Sequence, residues 1–306
     1  MKHLYWVVLI TVGIFFYGCN DDDAGSILSV SQTDIQLEAS GSTQQIQIET
    51  NVMFWQVAGN PNWVTVARDS CFLRIGADNN PTREPRKAKI AIVAGDKHVS
   101  LNIYQEKSIR AVGEYYPDAI NPIGVIFSLS DGGVHGKVLS FKEWNERWGP
   151  NTEAHTDARD LYNGKMNTSR IIQAHKDQAD FETAYPVFWW LHHEMNHDDL
   201  NGIWYYPSYY ELLELYTALT GNKFSVPPLT NTTPSYAHNA VVKEKFNEIL
   251  TEKGGTPISY GNSAFYWSST EYDLRQGYII GFINNLAFSN FYGKTDRLYA
   301  RPICAF

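Results

Sequence analysis

Residues 87–105 read KAKIAIVAGDKHVSLNIYQ. Lys87 and Lys89 interleave with Ala88 and Ile90, Gly95-Asp96 interrupts, and Ser100 and Asn102 then interleave with Val99, Leu101 and Ile103. A period of two sends alternate side chains to opposite faces, so this stretch predicts two half-buried strands joined by a turn. The pattern extends upstream. Gln45, Gln47 and Glu49 alternate with Ile46 and Ile48, and turn residues stand at Ser40-Gly41, Asn60-Pro61 and Asn79-Asn80-Pro81. Short strands at this spacing predict a small antiparallel β-sandwich over 27–107. From Asp34 to Lys107 eight acidic residues balance eight basic ones, so this module has no steering field.

Within it, Thr50-Asn51, Trp55-Gln56-Val57, Trp63-Val64-Thr65-Val66, Asn80 ahead of Arg86-Lys87-Ala88, and the closing run from Val99 to Gln105 follow one another in an order that resembles the BACON domain. That resemblance implies an immunoglobulin-like sandwich of the kind found on exported proteins. The family was proposed to bind carbohydrate or mucin, and many of its members look like spacers. Trp55 and Trp63 offer faces for stacking on sugar rings, but a Trp in a sandwich strand is more often core, and core packing is expected for both.

Ser108 to Val112 reads as a connector, and 113–306 as one mixed domain. From Ser108 onward 22 acidic residues face 16 basic ones, a charge of about -6. Ser208-Tyr209-Tyr210-Glu211 is a capping box, after which Leu212, Leu215, Tyr216 and Leu219 form one apolar helix face before Gly221. Ser169 to Ala179 and Asn239 to Lys253 are two more helices, the second stopped by Gly254-Gly255. Strand-like segments follow at Tyr266-Trp267, Gly277 to Ile283, Phe288 to Tyr292 and Tyr299 to Phe306. Helices first and a sheet afterwards predict an α+β domain.

Gly164 with Asn167-Thr168, Trp204-Tyr205-Tyr206-Pro207-Ser208 before Glu211-Leu212, the run Tyr266-Trp267-Ser268-Ser269-Thr270-Glu271, and the terminal Tyr299-Ala300-Arg301-Pro302-Ile303-Cys304-Ala305-Phe306 resemble the Lcl C-terminal domain. The resemblance implies a C-type-lectin-like fold, also similar to the formylglycine-generating enzyme, in which variable loops bind ligand. Fold alone does not set chemistry. The oxidase chemistry of that relative needs a cysteine pair, and only Cys304 lies in this domain. The Tyr266 to Glu271 run is expected to pin the sheet through packing and hydroxyl hydrogen bonds.

A competing motif is His193-Glu194-Met195-Asn196-His197. Two His one helical turn apart can bind zinc, with the Glu between them as general base. Asp198-Asp199, Asn201 and Gly202 break the helix within a turn, Leu200 stands where the extended motif has Gly, and Glu211 is engaged as a cap. A zinc-dependent hydrolase is therefore the alternative, and a solvated helix end with His197 near the last carbonyls is the leading reading. Asp198, Asp199 and Asn201 carry oxygens suited to calcium, but without the spacing of an EF-hand loop. No phosphate-binding glycine loop or Gly-x-Ser-x-Gly elbow occurs; Asp131-Gly132-Gly133 and Asn163-Gly164 read as turns.

At the start of the chain, Lys2 and His3 precede an apolar run from Leu4 to Tyr17, then Gly18, Cys19 and Asn20-Asp21-Asp22-Asp23. The run is shorter than the ~20 residues of a membrane-spanning helix and has the length of an export-signal core. Residues 1–18 are read as a signal peptide. Gly18-Cys19 resembles a lipobox, which implies that Cys19 is lipidated and begins the mature chain, with 19–26 as an acidic linker. Asp21 to Asp23 resembles the acidic tag that sends some lipoproteins to the outer face of the outer membrane. A non-lipidated secretory signal is the alternative.

The totals agree with this division. A length of 306 residues suggests two domains, and 43% hydrophobic against 19% charged residues suits folded cores. A net charge of -8 argues against a nucleic-acid partner. An aromatic content of 14% suits β-rich extracellular domains. Cys71 and Cys304 are expected to be buried thiols, and without Cys-x-x-Cys there is no zinc ribbon or dithiol redox centre. The expected protein is a lipid-anchored, non-catalytic cell-surface binding protein or adhesin that faces the exterior and recognises a glycan or a surface protein. No catalytic residue, metal ligand or cofactor is assigned, and the ligand-binding residues are not identified by sequence. A structural or tip subunit of a surface assembly is a further alternative.

Overall fold

The computed structural model describes residues 25–199, 201–221, 236–237, 240–259, 264–283 and 286–306. Residues 1–18, read from sequence as a signal peptide, Cys19, residues 20–24 of the expected linker, and Leu200 lie outside the described residues.

The first module contains β1 (Leu28–Val30), β2 (Asp34–Leu37), β3 (Gly41–Thr50), β4 (Trp55–Ala58), β5 (Thr65–Asp69), β6 (Phe72–Asp78), β7 (Arg86–Ala94) and β8 (Lys97–Gln105). They form two four-stranded sheets, ordered β1-β3-β6-β5 and β2-β8-β7-β4, facing each other as a β-sandwich. Alternation decides which side chains meet between the sheets. In β3, Ile46 and Ile48 are buried while Gln45 and Gln47 are not, and Ile35, Leu73, Ile75, Ile92 and Leu101 complete the apolar centre. The β7–β8 hairpin turns at Gly95, whose φ of 61° suits a residue without a Cβ. Trp55 is buried and Trp63 packs partly buried against the same core. The guanidinium groups of Arg68 and Arg86 lie 4.5 and 4.7 Å from those two ring centroids. Cys71, expected inside, is exposed. It follows Ser70, at φ 49°, in the tight β5–β6 turn, where no opposing sheet covers it.

The second module contains β9 (Tyr115–Tyr116), β10 (Gly124–Ser130), β11 (His135–Ser140), β12 (Trp144–Arg147), α1 (Gly164–His175), α2 (Phe181–Ala184), α3 (Pro186–Trp190), a π turn at Leu191–Met195, α4 (Tyr209–Thr220), β13 (Tyr236–Ala237), α5 (Ala240–Glu252), β14 (Phe265–Glu271), β15 (Gln276–Ile283), β16 (Leu286–Gly293), β17 (Arg297–Ala300) and β18 (Ile303–Ala305). A four-stranded sheet, β18-β11-β10-β9, stands beside a six-stranded one, β12-β17-β14-β15-β16-β13. The expectation of helices before strands is corrected: β9 to β12 precede α1. Their apolar runs, such as Gly124–Ser130 with its first four residues buried, lack clean alternation. The expected terminal strand is two, because Arg301-Pro302 interrupts the ladder and β17 and β18 join different sheets. The helix expected at Ser169 begins at Gly164, capped by Asn163, whose side chain accepts from the Met166 amide.

Every residue of β14 is buried, although four of its seven are polar. Each polar group is used. The Ser268 hydroxyl donates to the Tyr278 carbonyl at 2.9 Å, Ser269 to the Pro207 carbonyl at 3.1 Å, and Thr270 to the Asp160 carbonyl at 3.0 Å. The Glu271 carboxylate pairs with the Lys294 ammonium at 2.5 Å, both side chains fully buried. These bonds fix the 157–164 and 204–211 segments to the sheet centre.

The 108–112 connector is hydrogen-bonded to both modules. The Ser108 amide donates to the Thr82 carbonyl, the Val112 amide to that of Pro81, and the Ile109 amide to that of Gly132. The Gly132 amide donates to Asn79 Oδ1 at 3.0 Å, and Arg83 forms a two-pronged pair with Glu114.

Candidate functional site

Cells for ligand arise where a helix and a pinned loop leave space between them, and α1 with residues 196–205 does so. The α1 side chains Lys165, Ser169 and Gln173 recur every four residues and so line one helix face. Opposite stand Asn196, Asp199, Asn201 and Gly202, and Met166, Ile172, Trp204 and Tyr205 supply apolar surface. The cavity measures about 370 Å³, within the range of small-ligand sites.

The cleft walls are held by paired hydrogen bonds. Thr168 Oγ1 accepts from the Tyr206 amide at 3.1 Å, which ties α1 to the 204–206 segment. Asn196 acts as a strand would: its Nδ2 donates to the Trp204 carbonyl at 2.8 Å and its Oδ1 accepts from the Trp204 amide at 3.0 Å. A Cβ on Gly202 would meet the Asn196 side chain at 2.3 Å, so the loop closes only around glycine. Inside the loop the Asn201 amide donates to Asp199 Oδ1 at 2.8 Å. His197 and Asp198 both take positive φ, 50° and 63°. Left-handed non-glycine residues cost roughly 1–3 kcal/mol each and persist where the surroundings impose them.

Beneath the cleft, Glu211 gathers four donors. Its Oε2 accepts from the amides of Gly164 at 3.0 Å and Ser208 at 2.9 Å, and its Oε1 from the Tyr205 hydroxyl at 3.1 Å, with Lys137 Nζ at 3.5 Å. Burial, followed by the nearby Glu211 charge, pushes the Tyr205 hydroxyl far up from its ordinary pKa, so it stays a donor. The capping box read from Ser208 and Glu211 is thus present and also carries the start of α1. Tyr162, next to the Asn163 cap, is 68% exposed and stacks on Tyr210 at 4.3 Å, placing an aromatic face close by along the chain.

The sequence alternative at residues 193–197 takes a different form. α3 passes into the π turn and stops, and His197 lies outside it at positive φ. His193 Nδ1 pairs with Asp198, and Asn196 is committed to Trp204. The i, i+4 pair on one α-helical face that the zinc reading requires is not formed. Among the described residues no three His, Cys, Asp or Glu side chains gather as a metal site. Cys304 is buried, which pushes its thiol up to about 12.

The sequence singles out Asp199 and Asn201 only as oxygens suited to calcium, and Thr168, Trp204 and Tyr205 only within the motifs of the resemblance; it assigns none of them to a ligand cleft. The available signal was the four-residue spacing of Lys165, Ser169 and Gln173, hidden because Asn163-Gly164 read as a turn and the helix was started at Ser169.

Comparison with known proteins locates a family in the other module. Residues 54–106 match the BACON family, described as a proposed N-terminal binding domain. The match runs from β4 through β8, most of the sandwich. Among solved structures, an NMR structure of a protein from Bacteroides thetaiotaomicron is 14% identical with a TM-score of 0.25, the alignment covering 29% of this chain and 97% of that one. The M1 domain of titin is 10% identical with a TM-score of 0.22, covering 26% and 92%. No curated protein matches the chain.

Proposed function

We propose that this chain is a lipid-anchored, non-catalytic binding protein of the outer membrane, facing the exterior, and that its second module, read as a C-type-lectin-like domain, takes a glycan or a surface protein in the α1 cleft. The observation that carries the reading is the cleft itself. Amide, hydroxyl, ammonium and carboxylate groups stand around apolar surface from Trp204, Ile172 and Met166. A pyranose presents the same mixture, a ring of hydroxyls around an apolar C–H face, and needs no charge neutralisation to bind. The first module's match to a binding-domain family is compatible with a second contact or with a spacer. Export and anchoring rest on Gly18-Cys19 and the acidic residues after them.

The test is a glycan array and a panel of extracellular-matrix proteins, probed with the chain and with Lys165→Ala/Gln173→Ala. Both positions are exposed on α1, so the double variant keeps the fold. Loss of binding in the variant supports the cleft, and undiminished binding places the ligand elsewhere. Anchoring is read separately: Cys19→Ala should move the protein out of the membrane fraction, and unchanged fractionation overturns the lipid anchor.

A further inference from the structure

The two ends of the sandwich differ in what covers them. The strands run from one pole to the other: β3 descends from Gly41 to Thr50, β7 from Arg86 to Ala94, and β8 returns from Lys97 to Gln105. The upper pole, at Asn79, Asn80 and Arg83, is joined to the second module by the hydrogen bonds given above. The lower pole gathers Ser26-Ile27, Asn51 to Phe54 and Gly95 to Lys97. The Ile27 amide donates to Asn51 Oδ1 at 2.7 Å, and Asn51 Nδ2 donates to the Gly25 carbonyl at 3.3 Å. Ser26 and Val52 both flank Gly95.

Three large apolar side chains stand free at this lower pole: Ile27 at 55% exposure, Phe54 at 74% and Met53 at 84%. Exposed apolar residues scattered singly need no explanation, but three together at one tip call for an occupant. The tip carries little net charge, because Lys97 Nζ lies 3.4 Å from Asp96 Oδ2. It is also the pole at which the N-terminal segment joins the sandwich. Only residues 20–26 separate Cys19 from Ile27, at most ~29 Å of fully extended chain.

We infer that Ile27, Met53 and Phe54 form a membrane-resting tip, which dips into the lipid surface when Cys19 is anchored and holds the sandwich upright. The inference rests on the anchored reading above. A tether this short keeps the lower pole at the bilayer. Burying Phe and Met side chains in the interface then adds apolar contact beside the acyl chains and fixes the orientation of the sandwich, which a flexible tether alone leaves free. With the upper pole fixed to the second module, the ten residues of β3 set the cleft-bearing module about 33 Å off the surface.

The experiment uses the mature chain with a hexahistidine tag in place of the lipid, held on phosphatidylethanolamine/phosphatidylglycerol vesicles doped with a nickel-chelating lipid. The tag tethers the chain whether or not Cys19 is lipidated in cells, so the measurement reads the tip alone. The mass of the N-terminal peptide from cells reads the anchor. In a Cys71→Ser background, a polarity-sensitive fluorophore is placed at Met53→Cys or, as the control, at Ile120→Cys. Nitroxide-labelled lipid should quench the label at 53 and spare the label at 120, and Phe54→Asp should reduce the quenching at 53 severalfold. Equal, weak quenching at both positions overturns the proposal. So does a tip whose label stays in water while Phe54→Asp abolishes self-association in sedimentation, which would make it a contact between copies.

Discussion

The two modules bury their interiors by different rules. Between the sandwich sheets the core is apolar, with Ile35, Leu73, Ile75 and Leu101 at its centre, and the buried polar residues Asn80 and Gln105 sit at the end joined to the second module. The second module threads polar groups through its centre: Asn167, Thr168, Ser208, Glu211, Ser268 to Glu271, Lys294 and Arg301 are all buried. An apolar core is non-directional and tolerates many side chains of about the right size. A polar core forms only when every partner is in place, and it then specifies one arrangement of the loops that supply those partners. The sandwich is built to stand, and the second module is built to hold particular loops still.

The sharpest way to break this comparison is to remove one half of the Glu271–Lys294 pair. Burial pulls the Lys294 pKa down, and the bond to Glu271 only partly offsets it. Glu271→Leu leaves that ammonium without its carboxylate and takes the partner from His155, whose Nδ1 lies 2.8 Å from Glu271 Oε2. The expected loss is about 3–5 kcal/mol from the second module alone, seen as an early transition in calorimetry. Glu271→Leu with Lys294→Met should recover most of it. In the sandwich, Leu73→Ala costs about 2–5 kcal/mol, and no second substitution of a polar partner can rescue it. A double variant as unstable as the single one would mean that the pair matters for more than charge compensation.

This contrast also explains what could be read from the sequence. The sandwich announces itself because one face of each strand is wet, so Gln45-Ile46-Gln47-Ile48 carries the period in plain view. β14 is buried on both faces, and its Ser268-Ser269-Thr270-Glu271 satisfies itself with Pro207, Asp160 and Lys294, partners that sequence spacing does not reveal. The Ser208–Glu211 box was legible because its partners are three residues apart. The cleft was not, because its two walls are separated by more than twenty residues and meet through Thr168–Tyr206, while Asn196–Trp204 braces one of them. Cys71 was misplaced because alternation predicts strand faces and says nothing of a turn residue.

A smaller effect tests the joint between the modules. The Asn80 side chain donates to the Glu84 carbonyl at 2.8 Å and the Glu106 carbonyl at 2.9 Å, and accepts from Thr82. Asn80→Ala removes these bonds and a fully buried side chain at a cost of about 1–3 kcal/mol. The two modules should then unfold in transitions further apart than in the parent chain. A separation no wider than the parent's would show that the Arg83–Glu114 pair and the Gly132–Asn79 bond suffice to couple them.

The subtlest difference is one of pH, and it belongs to the second module. His192 is buried in the π turn behind the cleft loop, and its Nδ1 has no hydrogen-bond partner among the described residues. Burial, helped by neighbouring His193 and by Lys176, lowers its pKa, while Asp198 and Asp199 pull the other way. The unfolded chain therefore takes up a proton at this residue before the folded one does. Stability from keeping the imidazole neutral is complete above pH about 6.5 and is lost as pH falls from there toward the folded pKa. Lowering the pH from 7.5 to 5.5 should lower the Tm of the second module more in the parent chain than in His192→Leu, where the carboxylate contributions are shared and cancel. The Asp198 amide donates to the His192 carbonyl at 2.9 Å, so loosening this turn on acidification loosens the loop that forms one wall of the cleft. Equal Tm shifts in the two proteins would mean that the folded chain protonates His192 as readily as the unfolded one, with Asp198 and Asp199 outweighing burial.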